Sequence, residues 1–246
     1  MQELYLTDII QTSDFVLLDT SFFCPDSNLS RDLFDAGKDP DFDQGLCTRL
    51  KANNLYWRWL IDEIISQSNV YTHSIAISEL TPLKEHLQRV HEYNSTPKRV
   101  RKKEWDDLKV KTVKASVRKH NGLLPLLNTY ELYLTAVMER LKTYNDKIET
   151  TPPQNPVSEV NLKKISPAID YLFDQPDREV SIFARSEQIE RSLLEYVKRE
   201  VVHPFSGSLT LYHVGEFIDN RFNLKRVINC RFQSPTSSIL HLSLPS

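Results

Sequence analysis

Glycine is scarce in this chain, with 5 in 246 residues. Neither GxGxxG nor GxxxxGK[ST] occurs, which excludes the glycine-rich phosphate loops of dinucleotide-binding and P-loop proteins. The three cysteines, Cys24, Cys47 and Cys230, lie far apart and match no paired zinc spacing. So sparse and odd a count fits a reducing compartment better than a disulfide framework. No segment approaches the ~18 consecutive apolar residues that read as a membrane helix. Glu3, Asp8 and Asp14 precede any apolar run, unlike the start of an ordinary signal peptide. Charge is balanced, 31 Lys and Arg against 33 Asp and Glu for a net −2, so the chain as a whole is no polycation. HExxH and GxSxG are absent, and seven scattered histidines show no ligand spacing. The expectation is a cytoplasmic protein with no membrane partner. With 40% hydrophobic residues, the chain can bury one large core or two small ones.

What is present begins with Asp14-Phe-Val-Leu-Leu-Asp-Thr-Ser-Phe-Phe23. Phe15 to Leu18 is too short for a membrane and, bounded by polar residues, suits a strand buried on both faces. A carboxylate at the carboxyl end of such a strand, here Asp19, sits where open α/β sheets place their ligands. It is costly to bury alone, so it must be solvated, hydrogen-bonded or bound to a cation. Asn69 to Ile77, rich in β-branched and aromatic residues, reads as a second strand, leading into a helix at Ser78-Glu79-Leu80 with Pro82 near its start. Leu80, Leu83, Leu87 and Val90 share one helical face. So do Leu123, Leu127, Tyr130, Leu134, Val137 and Leu141. Thr150 to Ser158, with three prolines, reads as a linker. A short helix over about 162–173 and a longer one carrying Ile182, Ile189, Leu193 and Val197 follow. Strands are expected near 208–213 and 226–231, in one sheet with the first strand central.

Three segments in order carry an acid where a strand ends or a helix begins. They are Leu17-Leu18-Asp19-Thr20-Ser21, Ile75-Ala76-Ile77-Ser78-Glu79-Leu80 and Asp177-Arg-Glu-Val180-Ser-Ile-Phe-Ala184. Together they resemble the PIN domain, a family of metal-dependent nucleases, over roughly Asp14 to Leu80 and Asp170 to Cys230. The resemblance implies a small, mostly parallel α/β sheet flanked by helices, spanning 1–246, with a helical insertion at 84–158. It implies Asp19, Glu79 and Asp177 as catalytic metal ligands for Mg²⁺ or Mn²⁺, and RNA rather than DNA as substrate. The family often has a fourth Asp; here that position reads as Val214, with only Glu216 acidic nearby as the further metal ligand the resemblance implies.

Carboxylate-held Mg²⁺ or Mn²⁺ can activate a water and neutralise charge on a phosphodiester. Other readings stand beside these roles: Asp177 as a helix N-cap, Glu79 as a complement to a helix dipole, Glu216 as a surface acid. Between Lys84 and Lys119 lie twelve Lys and Arg against five Asp and Glu, densest at Lys98, Arg99, Arg101, Lys102 and Lys103. Such a cluster attracts a phosphate backbone, or else solvates a helix turn. The activity expected is endoribonuclease. The alternative is a catalytically degraded PIN-like module holding nucleic acid, a protein partner or an inhibitor.

Overall fold

The computed structural model describes residues 5–23, 29, 42–95, 123–144, 156–199, 207–218, 221–231 and 241–242. In chain order these form α1 (Leu6–Thr12), β1 (Phe15–Leu18), α2 (Thr20–Phe23) and α3 (Phe42–Trp59), which runs into a π-helical turn at Leu60–Ile64. Next come β2 (Val70–Thr72), α4 (Ser74–Ser95), α5 (Leu123–Arg140), α6 (Pro156–Asp174), β3 (Glu179–Ala184) and α7 (Glu187–Arg199). The chain closes with β4 (Ser208–Ile218), β5 (Arg221–Arg231) and β6 (His241–Leu242).

The strands among the described residues join one sheet in the order β2-β1-β3-β4-β5-β6. The first four run parallel, and β5 and β6 add antiparallel at one edge. The fold is therefore α/β with a mostly parallel sheet. Every residue of β1 is buried, as an apolar run between two parallel neighbours requires.

Alternation along the strands divides the sheet into two unlike faces. Phe15 and Leu17, Val180, Ile182 and Ala184, Leu209 and Leu211, and Ile228 and Cys230 form one apolar core with α6 and α7. The helices contribute Ile165, Ala168, Ile169 and Leu172, then Ile189 and Leu193, at the spacing that keeps side chains on one helical face. The opposite face, where α1 lies against β3 and β5, is polar across three strands. There Ser181, Thr210 and Asn229 stand side by side in register.

Three elements differ from the sequence expectation. The long helix expected to include Ile182 is a strand and then a helix. Val180, Ile182 and Ala184 alternate with a period of two as well as lying near helical spacing to Ile189. The β1 and β4 edges on either side decide for the strand. Ser186 then starts α7, its Oγ accepting from the Gln188 N–H at 3.2 Å and its carbonyl from the Ile189 N–H at 3.1 Å. The second expected strand ends at Thr72. His73 caps the helix that follows, Nδ1 accepting from the Ile75 N–H and the carbonyl from the Ala76 N–H, each at 2.9 Å. Ser74–Ile77 is thus helical, and Pro82 lies inside α4, where it removes one helical hydrogen bond. Third, α6 begins at Pro156, within the stretch expected to be a linker.

The chain forms two compact units. One contains 1–23, 63–77 and 141–246 and carries the sheet; the other contains 24–62 and 78–140, and its described elements are helices. In the helical unit, Leu123, Leu127, Tyr130, Leu134 and Val137 are the buried stripe of α5, as their spacing predicts. Trp57 meets Tyr130 edge-on at 5.9 Å, and Asn54 Nδ2 donates to the Leu126 carbonyl at 3.1 Å.

In the sheet unit, Tyr144 O–H donates to Asp174 Oδ2 at 3.0 Å. Burial, then the Asp174 hydrogen bond and nearby negative charge, push its phenol from 10.0 up to about 12. A folded-state pKa raised above the unfolded value gives a contribution complete below about pH 10 and lost as pH rises through about 12. Urea unfolding at several pH values in that window should show a steeper alkaline loss for the wild type than for Tyr144→Phe. Parallel pH profiles would remove this role for Tyr144.

Candidate functional site

The strand order sets where a ligand edge can form. From β1 the chain crosses to β2 on one side, then returns past β1 to β3 on the other. In doubly wound sheets such a reversal opens a crevice beyond the carboxyl ends of the two strands, here β1 and β3. Asp19 follows β1 at that edge, Arg185 and Ser186 follow β3, and His73 follows β2.

Local bonds hold the edge in place. The Asp19 N–H continues the parallel ladder by donating to the Phe183 carbonyl at 3.0 Å. Asp19 Oδ2 accepts from the Ser21 N–H at 3.0 Å and from the Ser21 hydroxyl at 2.5 Å. Ser21 Oγ in turn accepts from the Arg185 N–H at 2.9 Å, so one hydroxyl ties the end of β1 to the end of β3. Thr72 Oγ1 donates to the Leu18 carbonyl at 2.7 Å and fixes β2 on the other side. The Ile75 N–H donates to His73 Nδ1, which commits that ring nitrogen to the helix cap.

This network satisfies only one oxygen of Asp19. The residue is 7% exposed, and its Oδ1 is buried with no hydrogen-bond partner among the described residues. The same holds for Thr20 Oγ1 next to it. Leaving a buried acceptor unpaired costs about 1–3 kcal/mol, and more when it is charged. A buried carboxylate oxygen held rigidly at a sheet edge is therefore set up for a ligand that brings positive charge or a donor.

The other expected metal ligands do not join Asp19 within this unit. Asp177 lies on the exposed turn before β3, not at a helix start. Because β3 runs parallel to β1 with Val180 opposite Phe15, Asp177 lies beyond the amino end of the sheet. Asp19 lies beyond its carboxyl end, so at least the length of β1, about 13 Å, separates the two. One cation with oxygen ligands at about 2.0–2.6 Å cannot bridge that distance. At the amino end, Arg178 donates to Asp14 Oδ1 at 2.9 Å and the Glu179 N–H to Asp14 Oδ2 at 2.8 Å. Glu79 is exposed on α4 and belongs to the helical unit. Glu216 falls where the β4–β5 register slips between Val214 and Phe217. Among the described residues, no group of three or more His, Cys, Asp or Glu side chains is placed to hold a metal. Lys98, Arg99, Arg101, Lys102 and Lys103 lie outside the described residues.

Comparison with protein-family models, curated proteins and solved structures yields no match to this chain. The edge is therefore read from its own chemistry. Sequence reasoning finds Asp19 but misses Ser21 as a clamp, because a Thr-Ser pair after an Asp fits an ordinary turn and its long-range partner, Arg185, lies 164 residues away. Turn chemistry is part of the answer, since Asp19 Oδ2 does accept from the amide two residues on. Arg185 is hidden in the sequence because β3 reads as helix; a polar residue ending the Val180–Ala184 run is the available signal.

Proposed function

We propose that the carboxyl edge at Asp19 binds a divalent cation together with a phosphodiester of nucleic acid, RNA in preference to DNA, and hydrolyses it. The observation that carries this reading is the Oδ1 of Asp19, buried and without a hydrogen-bond partner among the described residues, at the carboxyl ends of β1 and β3. Asp19 fits such an ion in part: it offers one fixed carboxylate oxygen. Mg²⁺ commonly uses one or two carboxylates, keeps several waters and takes further oxygens from substrate phosphates. When bound, it would polarise a phosphoryl oxygen and lower the pKa of an attacking water. Ser21 fixes the direction of Oδ1 by occupying Oδ2, and the Arg185 backbone fixes Ser21.

A second reading is a module that holds nucleic acid without cutting it. The position of Asp177 at the far end of the sheet favours it, because two-metal hydrolysis draws on several carboxylates at once. Calorimetric titration with Mn²⁺ and a cleavage assay on single-stranded RNA test both readings. Asp19→Asn should weaken Mn²⁺ binding about tenfold or more, equivalent to about 1.4 kcal/mol. Mg²⁺-dependent cleavage by the wild type that Asp19→Asn loses supports hydrolysis; RNA binding with no cleavage supports the second reading. Unchanged Mn²⁺ binding in Asp19→Asn removes the cation from both.

The basic run gives a further expected result. Neutralising Lys98, Arg99, Arg101, Lys102 and Lys103 should lower RNA affinity across sequences and reduce the salt slope by roughly one unit for each phosphate no longer neutralised. Unchanged affinity and slope would assign the run to solubility or to a protein partner.

A further inference from the structure

The polar face of the sheet borders a half-open cavity of about 390 Å³ beside α1, lined from α1 and its C-cap by Asp8, Thr12 and Ser13 and from the strands by Glu179, Asn229 and Arg226, among others. Its volume falls in the range of small-molecule sites, roughly 300–1,000 Å³. It lies on the face of β3–β5 along the amino-terminal half of β3, away from the carboxyl-edge site at Asp19.

A bulge builds one end of it. Asn229 pairs with Thr210 and Ile228 with Leu211, but Tyr212 pairs with Arg226, so Val227 is the extra residue. Strict alternation would send Asn229 and Arg226 to opposite faces. The bulge turns Arg226 back onto the cavity face, where its guanidinium lies 5.8 Å from the Tyr212 ring centroid. Tyr212 is itself stacked on Phe183 at 5.2 Å, which fixes the base of that end. Glu179, in register with Ser208, marks the other end. The step from Ser208 to Tyr212 is about 13 Å along the strand.

Between these ends, beside the Thr210 hydroxyl, several side chains turn acceptors toward the cavity. Ser13 donates its hydroxyl proton to the Ile9 carbonyl at 2.7 Å, so in its 2.7 Å contact with Ser181 the Ser181 hydroxyl is the donor. Thr12 Oγ1 donates to the carbonyls of Asp8 and Ile9. Thr12 and Ser181 thus turn only lone pairs outward. Asn229 Oδ1 is buried with no hydrogen-bond partner among the described residues. With the carboxylates of Asp8 and Glu179, this part of the cavity calls for a donor-rich positive group, and Arg226 for a negative one.

We propose that the cavity binds a small zwitterion of the amino-acid class, its ammonium facing Asn229 and the acids and its carboxylate facing Arg226. Calorimetry on the full chain with 6-aminohexanoate, hexanoate and hexylamine tests it. 6-Aminohexanoate should bind, and each single-charge analogue should bind about tenfold more weakly or worse, the scale of a hydrogen bond to a charged group. Asn229→Leu should weaken 6-aminohexanoate binding about tenfold, leave Mn²⁺ binding unchanged and keep the thermal midpoint, since it removes an unpaired buried oxygen. Arg226→Gln, at an exposed side chain, should weaken 6-aminohexanoate but not hexylamine, and it decides the matter if Asn229→Leu misfolds. No binding of 6-aminohexanoate, equal affinity for all three probes, or indifference to Arg226→Gln overturns the proposal.

Discussion

Phe15→Ala should cost about 3–5 kcal/mol, the range for truncating a fully buried aromatic ring. Phe15 has no exposed surface. Its ring stacks on Tyr71 at 4.8 Å and on Tyr171 at 4.6 Å and meets Tyr144 edge-on at 5.3 Å. It belongs to the strand between β2 and β3, so the void left by alanine cannot be filled by a shift of one loop. Domain stabilities are only about 5–15 kcal/mol, so this single change should bring the sheet unit near its limit. Urea denaturation followed by tyrosine fluorescence reads the result. A loss below about 1 kcal/mol would mean that the ring cluster is not a rigid part of the core.

Gly207→Ala should also be strongly destabilising, at or above the ~1–3 kcal/mol typical of overpacking. A Cβ at Gly207 would overlap the Arg178 carbonyl oxygen and come within 2.9 Å of Arg178 N and 3.0 Å of Leu172 Cδ2. Two of these three neighbours are backbone, which cannot rotate away. They are also the backbone that aligns the starts of β3 and β4: the Gly207 N–H donates to the Pro176 carbonyl, and the Ser208 N–H to the Arg178 carbonyl at 3.0 Å. Gly45→Ala provides a control of opposite sign. Gly45 lies within α3, nothing lies within 4 Å of where an alanine methyl would stand, and the substitution should gain about 0.5–1 kcal/mol from helix propensity. If both substitutions shift the urea midpoint alike, steric exclusion at Gly207 is not the cause.

How much of the fold is legible in the sequence depends on the range of the interactions involved. The β1 strand is legible because four consecutive apolar residues bounded by polar ones describe a strand covered on both sides. The α5 stripe is legible because Leu123 to Val137 repeats at helical spacing. β3 is not, since Val180, Ile182 and Ala184 fit a strand while Ile182, Ile189 and Leu193 fit a helix. Only the β1 and β4 edges separate those periods. The start of α4 escapes the sequence reading because Ile75 and Ile77 are β-branched, whereas the cap that nucleates the helix is the ring nitrogen of His73.

The candidate site divides in the same way. That Asp19 ends a buried strand and therefore needs a partner is readable from the residues around it, because burial and charge are properties of a few neighbours. Tertiary structure alone decided which acids share an edge. Once β3 lies parallel to β1, an acid before β3 and an acid after β1 fall at opposite ends of the sheet, however well their motifs are ordered along the chain. It also decided that Ser21 occupies one oxygen of Asp19 and leaves the other unpaired, and that a bulge at Val227 turns Arg226 onto the face of Asn229. Strand order and register are set by pairings between residues far apart in sequence, and local composition carries no record of which edges will meet.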